Sequence, residues 1–435
     1  MDALNTIVNK QQEMVNKQHK KTNDIVKRAI LNSIMSLTSN MKKFILIQFF
    51  VFIHSFVFTQ TIVRLDNSQI SAQQLNNKMN QLIKDASVTG IAINVFNDGK
   101  PVYHKVLGYK NSETKVPLQT STNFYGASFS KSVFAVLVLK LVEEKIISLD
   151  KPLQDYLPQP VYEYGKGASW NQDYTSLKDD KSYKKITARH CLTHASGFAN
   201  WRWDEPDQKL HVHFEPGSQY SYSGEGFCYL QFVIEKLTAK SLNKLMQEKL
   251  FGPLGMKNSS YTWQPRFESD YCFGHDKTGK PYPKDKDNAP RAASTFETTP
   301  DDYNLFTAAV LQKKILKPAT YDTLFKQQLR LRSKFQMGPE SWKDSVSDND
   351  DILLGYALGW GRLQTPYGFG VFKEGHGEGF QHYTILFPEK KTGIVILTNS
   401  DNGESIFKEL LEFAIVDKFT PWKWQRYTPY NYKGN

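Results

Sequence analysis

The order of predicted elements gives a mixed α/β (α+β) fold. An antiparallel sheet is built from both ends of the chain, flanked by terminal helices, with a mostly helical subdomain inserted between. Three observations carry this. Two strand-like runs joined by a tight turn stand near residue 90, at Thr89–Phe96 and Val102–Gly108, with Asn97-Asp98-Gly99-Lys100 as the hairpin turn. Strand character then lapses for some 240 residues of helical and loop pattern and returns at Leu354–Leu363, Gly368–Lys373, Tyr383–Phe387 and Gly393–Thr398. Amphipathic helices bracket the whole: Asn67–Ala86, with Leu75, Met79 and Leu82 on one side, and Glu404–Lys418 at the close.

Within the insertion, a helix is predicted from Ser128 to Lys145, a short one over Thr187–Leu192, one over 225–250 and one over Pro300–Gln312. Residues 160–185 are polar and aromatic without periodicity and are expected to be an inserted loop. Residues 265–292 read as a Lys/Asp/Pro-rich loop. The expected catalytic domain is 61–435, its α/β part about 66–125 and 352–420 and its helical part about 126–351. No internal repeat is found.

With 435 residues, 40% of them hydrophobic and 23% charged, the chain buries a large core and is not a disordered one. The formal charge of +11 is not focused. Residues 1–43 hold eight Lys/Arg against three Asp/Glu, and the rest is interleaved with acids. No basic stripe with aromatics exists, which argues against nucleic acid as a partner. Cys191, Cys228 and Cys272 are too few for a disulfide framework and lack Cys-x-x-Cys spacing.

Met41-Lys42-Lys43 precedes an apolar run from Phe44 to Phe58, the pattern of a secretory leader. Residues 1–40 form a polar extension ahead of it, so the run over 41–60 reads as a signal peptide starting at Met41 or a signal anchor with a positive cytoplasmic tail, with a buried core helix as the alternative. Both leader readings place the rest of the chain outside the cytoplasm, secreted or tethered through residues 44–58.

The chemistry is concentrated in three elements. The first is Ser128-Phe129-Ser130-Lys131. On a helix, residues three apart share a face, so Ser128 Oγ and Lys131 Nζ converge, and an amine of depressed pKa can take the hydroxyl proton. The spacing recurs elsewhere, for example at Ser241/Lys244, so company has to single this one out. The second is Tyr220-Ser221-Tyr222-Ser223-Gly224, a phenol on a tight loop before a helix start. The third is Glu374-Gly375-His376-Gly377-Glu378-Gly379, whose alternating glycines let backbone approach a ligand.

Together, and in this order, these elements resemble the serine β-lactamase-related hydrolases: class C β-lactamases, D-alanyl-D-alanine carboxypeptidases and related esterases. Their motif set is Ser-x-x-Lys, Tyr-x-Asn and Lys/His-x-Gly. The resemblance spans roughly residues 66–420 and is supported by Leu149-Asp150-Lys151-Pro152-Leu153, Leu192-Thr193-His194-Ala195-Ser196-Gly197-Phe198, Pro253-Leu254-Gly255-Met256 and Gly359-Trp360-Gly361. It implies a β-lactamase/transpeptidase-like fold and a covalent acyl-enzyme mechanism with no cofactor and no metal. It makes Ser128 the nucleophile, Lys131 its base partner, Tyr222 the catalytic tyrosine and His376 the third-motif residue. The N–H groups of Ser128 and Gly379 become the oxyanion hole.

Two departures bear on the substrate. Gly224 stands where the family often has Asn, whose amide holds an acylamino side chain. Glu378 stands where Gly is usual after His376 and puts a carboxylate at the mouth. The expected substrate is therefore a small-molecule or peptide-like acyl compound, an ester or amide. The alternatives are a true β-lactamase or D-alanyl-D-alanine carboxypeptidase, and a catalytically silent binding protein that keeps the fold. Tyr109-Lys110-Asn111, Lys391-Thr392-Gly393 and Lys277-Thr278-Gly279 spell family motifs in the wrong places and are set aside. His190 and His194 have helical metal spacing but no third ligand, and the resemblance makes His194 structural.

Overall fold

A computed structural model describes residues 61–432 apart from 168, 287, 339, 340 and 342. The polar extension over 1–40 and the leader over 41–60 lie outside the described residues. Among the described residues, no helix is long and apolar enough to cross a membrane.

Eight strands form one sheet: β1 (Gly90–Asn97), β2 (Lys100–Gly108), β3 (Leu329–Arg330), β4 (Gly355–Tyr356), β5 (Gly361–Thr365), β6 (Gly368–Gly377), β7 (Phe380–Phe387) and β8 (Thr392–Thr398). Their spatial order is β2-β1-β8-β7-β6-β5-β4-β3, and every neighbouring pair is antiparallel. The early hairpin and the late strands thus meet at the β1–β8 seam, where Gly393 to Thr398 pair with Phe96 to Ile91. This is the sheet expected from both chain ends. The predicted strand 354–363 is two short strands instead, broken where Gly359 turns with φ +78°.

Period-2 alternation assigns the two faces. Ile394 and Ile396 of β8 join one core with Ile91, Ile93 and Val95, while Val395 and Leu397 join the other. The first core is covered by the terminal helices α1 (Ala72–Asp85) and α5 (Phe407–Ile415), through Leu75, Met79, Leu82, Leu410 and Leu411. Ser71 caps α1 in a reciprocal capping box with Gln74. The second core holds α2 (Phe129–Glu143), α3 (Gly224–Thr238) and α4 (Pro300–Leu311). Helix α2 is apolar all round and buried on nearly every side, as a central helix must be.

Residues 160–185 are not an open loop. They wind through successive 3₁₀ turns whose Val161, Tyr174, Leu177 and Tyr183 are fully buried, a pattern that tracks tertiary contacts rather than any helical period. Cys191, Cys228 and Cys272 are buried free thiols.

Candidate active site

The turn entering α2 sets up the first element. Ala127 adopts a left-handed φ of +46°, sparsely populated for a residue with a Cβ, and so bends the chain sharply onto the helix. Ser130 Oγ locks this bend by donating to Ala127 O at 2.5 Å and accepting from Phe296 N at 3.0 Å. Ser128 occupies the N-cap position yet makes no capping hydrogen bond with its side chain. Its hydroxyl instead accepts a hydrogen bond from Lys131 Nζ at 3.0 Å, the convergence expected from i, i+3 spacing. Lys131 Nζ also donates to Ala293 O at 2.8 Å. Burial, and then the ammonium of Lys373, hold the Lys131 pKa well below the ordinary lysine range, with Glu374 opposing.

The second element is fixed by His194. Its Nδ1 accepts from Ser223 N at 2.9 Å, its Nε2 meets Tyr356 Oη at 3.1 Å, and its ring stacks on Tyr222 with centroids 4.2 Å apart. Ser223 caps α3 through Gly226 N at 2.9 Å. Burial and the Glu374 carboxylate push the Tyr222 pKa well above the ordinary phenol range, with the nearby Ser128 side chain pulling the other way.

The third element differs from the expectation. The ammonium that reaches the Tyr222 hydroxyl is that of Lys373, at 3.1 Å, and not the His376 imidazole. Strand parity is the reason. A Cβ on Gly375 would point at Gly126 O and one on Gly377 at the Tyr125 ring, so odd-numbered residues of β6 face the Ser128 turn, and Lys373 is among them. His376 is on the opposite face, where its Nε2 pairs with Glu404 Oε1 at 3.2 Å. Partial desolvation works against charge on His376, whose side chain is 34% exposed, but Glu404 and Glu374 outweigh it and raise the pKa. Lys373-Glu374-Gly375 spells Lys-x-Gly, so the pointer to Lys373 was present in the sequence.

Lys373 Nζ also donates to Glu374 Oε1 at 2.5 Å, and both side chains are buried. Burial opposes charge on each partner. For Lys373 it lowers the pKa, with Glu374 pulling the other way; for Glu374 the attraction of Lys373 wins and the pKa falls.

Gly379 is also placed differently. Its N–H donates to Asp401 Oδ1 at 3.0 Å, away from Ser128, in the Glu378-Gly379 turn joining β6 to β7. Its φ of +69° and the close pass of Gly274 and His275 explain the glycine. Glu378 is exposed in the same turn and does not line the cavity. β6 pairs with β5 only as far as Phe372, so the stretch Lys373–Gly377 offers an edge to the Ser128 turn. The pair next to a two-residue turn, here Gly377 and Phe380, exchanges both hydrogen bonds, and the following pair exchanges none, so the His376 N–H is turned toward that edge. Among the described residues no acceptor is paired with the Ser128 N–H.

Ser128, Lys131, Tyr222 and His376 line one cavity of about 420 Å³ together with Asn200, Arg291, Ser294 and Met337. Its outer wall is aromatic. Trp201 stacks on Trp203 with centroids 5.1 Å apart, and Trp170 meets Trp203 edge-on at 4.7 Å. A Cβ on Gly224 would come within 2.5 Å of the Trp201 ring, so this position holds glycine because an indole lies across it. The next residue, Glu225, is fully buried and holds Arg202 by two hydrogen bonds of 2.8 and 2.9 Å, clamping the turn between the two tryptophans.

The fold and this arrangement define a β-lactamase/transpeptidase-like protein. The sequence model of the Beta-lactamase family matches residues 75–415, and the chain belongs to that family. It is 23% identical over 370 residues to Protein flp of Staphylococcus aureus (strain MW2), a match covering 81% of this chain and 68% of the relative. Among solved structures it is similar to EstCE1, a hydrolase with promiscuous acyltransferase activity (TM-score 0.63, 18% identity, 80% of this chain and 98% of that one). It is also similar to the D-alanine carboxypeptidase AmpC from Burkholderia cenocepacia (TM-score 0.58, 21% identity, 76% and 93%).

Proposed function

We propose that the protein is a serine hydrolase that cleaves an ester or amide through a covalent acyl-enzyme. The observation that carries this is the hydrogen bond from the buried Lys131 amine to the Ser128 hydroxyl, beside a phenol in contact with a second buried lysine. Ser128 Oγ attacks the carbonyl carbon as its proton passes to Lys131 Nζ, an amine whose burial favours the neutral form. The oxyanion is held by the N–H groups of Ser128 and His376. Collapse breaks the bond to the leaving oxygen or nitrogen, which takes its proton through Tyr222 and Lys131. Water then repeats the attack on the acyl-enzyme, the acid departs, and the proton returns to Ser128.

Lys373 takes the third-motif role that the sequence resemblance gave to His376. Gly224 favours an ester or amide substrate over a β-lactam or D-alanyl-D-alanine, because it offers no side-chain amide to an acylamino group. The apolar run over 44–58 supports a location outside the cytoplasm, and sequencing the mature N-terminus distinguishes cleavage from tethering.

A fluorophosphonate probe tests the reading. Wild type is expected to label and Ser128→Ala not to. Absence of wild-type labelling supports the silent binding protein instead, and labelling undiminished in Ser128→Ala rules out Ser128 as the nucleophile. Nitrocefin turnover exceeding that of a p-nitrophenyl ester would reverse the order of substrates.

A further inference from the structure

Resting on that hydrolase reading, we propose that the tryptophan wall is an acyl-group subsite, and that the substrate's acyl group carries a flat aromatic ring that is uncharged or anionic. The wall is built rather than incidental. Trp201, Trp203 and Trp170 are mutually packed, with centroids between 4.7 and 5.6 Å apart. The turn that carries two of them is clamped by the fully buried Glu225 through Arg202, and by Gly224 N and Glu225 N donating to Asn200 O at 3.0 and 3.1 Å. The same helix start that presents Tyr222 thus fixes the indoles. Despite this clamp Trp203 remains 52% exposed and Trp170 36% exposed, and both line the cavity. The half-exposed Trp203 indole, held in the cavity that contains Ser128, offers an aromatic surface for a ligand to pack on.

The position relative to Ser128 sets the length of the group. Lys131 Nζ, 3.0 Å from Ser128 Oγ, lies 5.9 Å from the centre of the Trp201 ring. A ring one or two bonds from the bound carbonyl therefore reaches the wall. The leaving group is served by the Tyr222 hydroxyl, with Lys373 behind it, and we assign the indoles to the acyl portion.

Charge selects against the other ligands that aromatic cages take. Tryptophan faces bind quaternary ammonium groups well, but the guanidinium groups of Arg202 and Arg291 already stand 5.5 and 5.7 Å from the Trp170 ring. No carboxylate is among the cavity's lining residues. A cationic acyl group would meet these guanidinium groups and no lining carboxylate.

The test compares ethyl phenylacetate with ethyl N-acetylglycinate, esters with the same leaving group. It is joined by fluorescence titration of Ser128→Ala with phenylacetate and with glycine betaine. The wild type is expected to favour ethyl phenylacetate at least tenfold in kcat/KM, and Trp203→Ala, at an exposed position, to cut that ratio about tenfold. Phenylacetate is expected to quench Ser128→Ala, more weakly once Trp203→Ala is added, and betaine to leave it unchanged. A ratio near one, a ratio indifferent to Trp203→Ala, or quenching by betaine overturns the subsite. If wild type fails to label with fluorophosphonate while Ser128→Ala still binds phenylacetate, the hydrolase reading falls and the aromatic site stands. If it labels but shows no aromatic preference, the reverse holds.

Discussion

At Lys131, burial and function pull in the same direction. Its ammonium is desolvated and stands near a second cation, so the pKa is depressed. The sign follows directly. A base works only when neutral, so kcat/KM for an ester should rise with pH through this depressed pKa and level off well below the range of an ordinary lysine. A pH–rate profile checks this, and a rising limb in the range of a free lysine would contradict it. Lys131→Arg keeps a charge that cannot be shed, and should lower kcat/KM by about 10²–10⁴-fold while the protein stays folded. Lys373 and Glu374 make a different residue-scale prediction. Removing one member strands the other's buried charge, so Lys373→Ala should cost about 3–5 kcal/mol in denaturant unfolding. Lys373→Ala combined with Glu374→Ala should recover part of that loss.

Elements were legible in proportion to how local their causes are. Helix α1 was readable from the spacing of Leu75, Met79 and Leu82, and the Asn97–Lys100 turn from its Asn-Asp-Gly sequence, because both depend on neighbours in the chain. The 3₁₀ turns over 160–185 were not, since their shape follows what Tyr174 and Tyr183 pack against. In β6 the motif was legible but the register was not. A shift of three residues exchanges the faces of the strand, and only pairing with β7 decides which side chain meets Tyr222. The break between β4 and β5 supplies an element-scale prediction. Gly359 turns at φ +78° against α2, where a Cβ would meet Ala135 Cβ at 2.5 Å and Lys131 O at 3.1 Å. Gly359→Ala should therefore destabilise by about 1–3 kcal/mol and displace the helix that carries Lys131. Urea unfolding, together with fluorophosphonate labelling rate, reads both effects.

Across the whole molecule, the sheet is sandwiched between two cores, and the segment beyond the family match closes one of them. Trp424 is fully buried in contact with Tyr220 and Phe372, and its Nε1 donates to Ser333 Oγ at 3.0 Å. Gln336 N donates to Trp424 O at 2.9 Å, and the neighbouring Met337 lines the active-site cavity. Trp424→Ala should cost about 3–5 kcal/mol. It should also lower ester turnover by loosening the segment that carries Met337, which thermal unfolding and steady-state kinetics measured together would register. Unchanged turnover at full folding would show that the C-terminal segment only buries the sheet.

The α+β class, the sheet drawn from both chain ends, and the company of Ser128, Lys131 and Tyr222 were legible in the order of residues alone. Periodicity, turn chemistry and motif order are written in local residues. It took the folded chain to place Lys373 rather than His376 at the phenol, the Gly379 N–H on Asp401, and Gly224 beneath an indole. Each of these depends on strand parity or on groups far apart in the chain meeting in space, which no local pattern records.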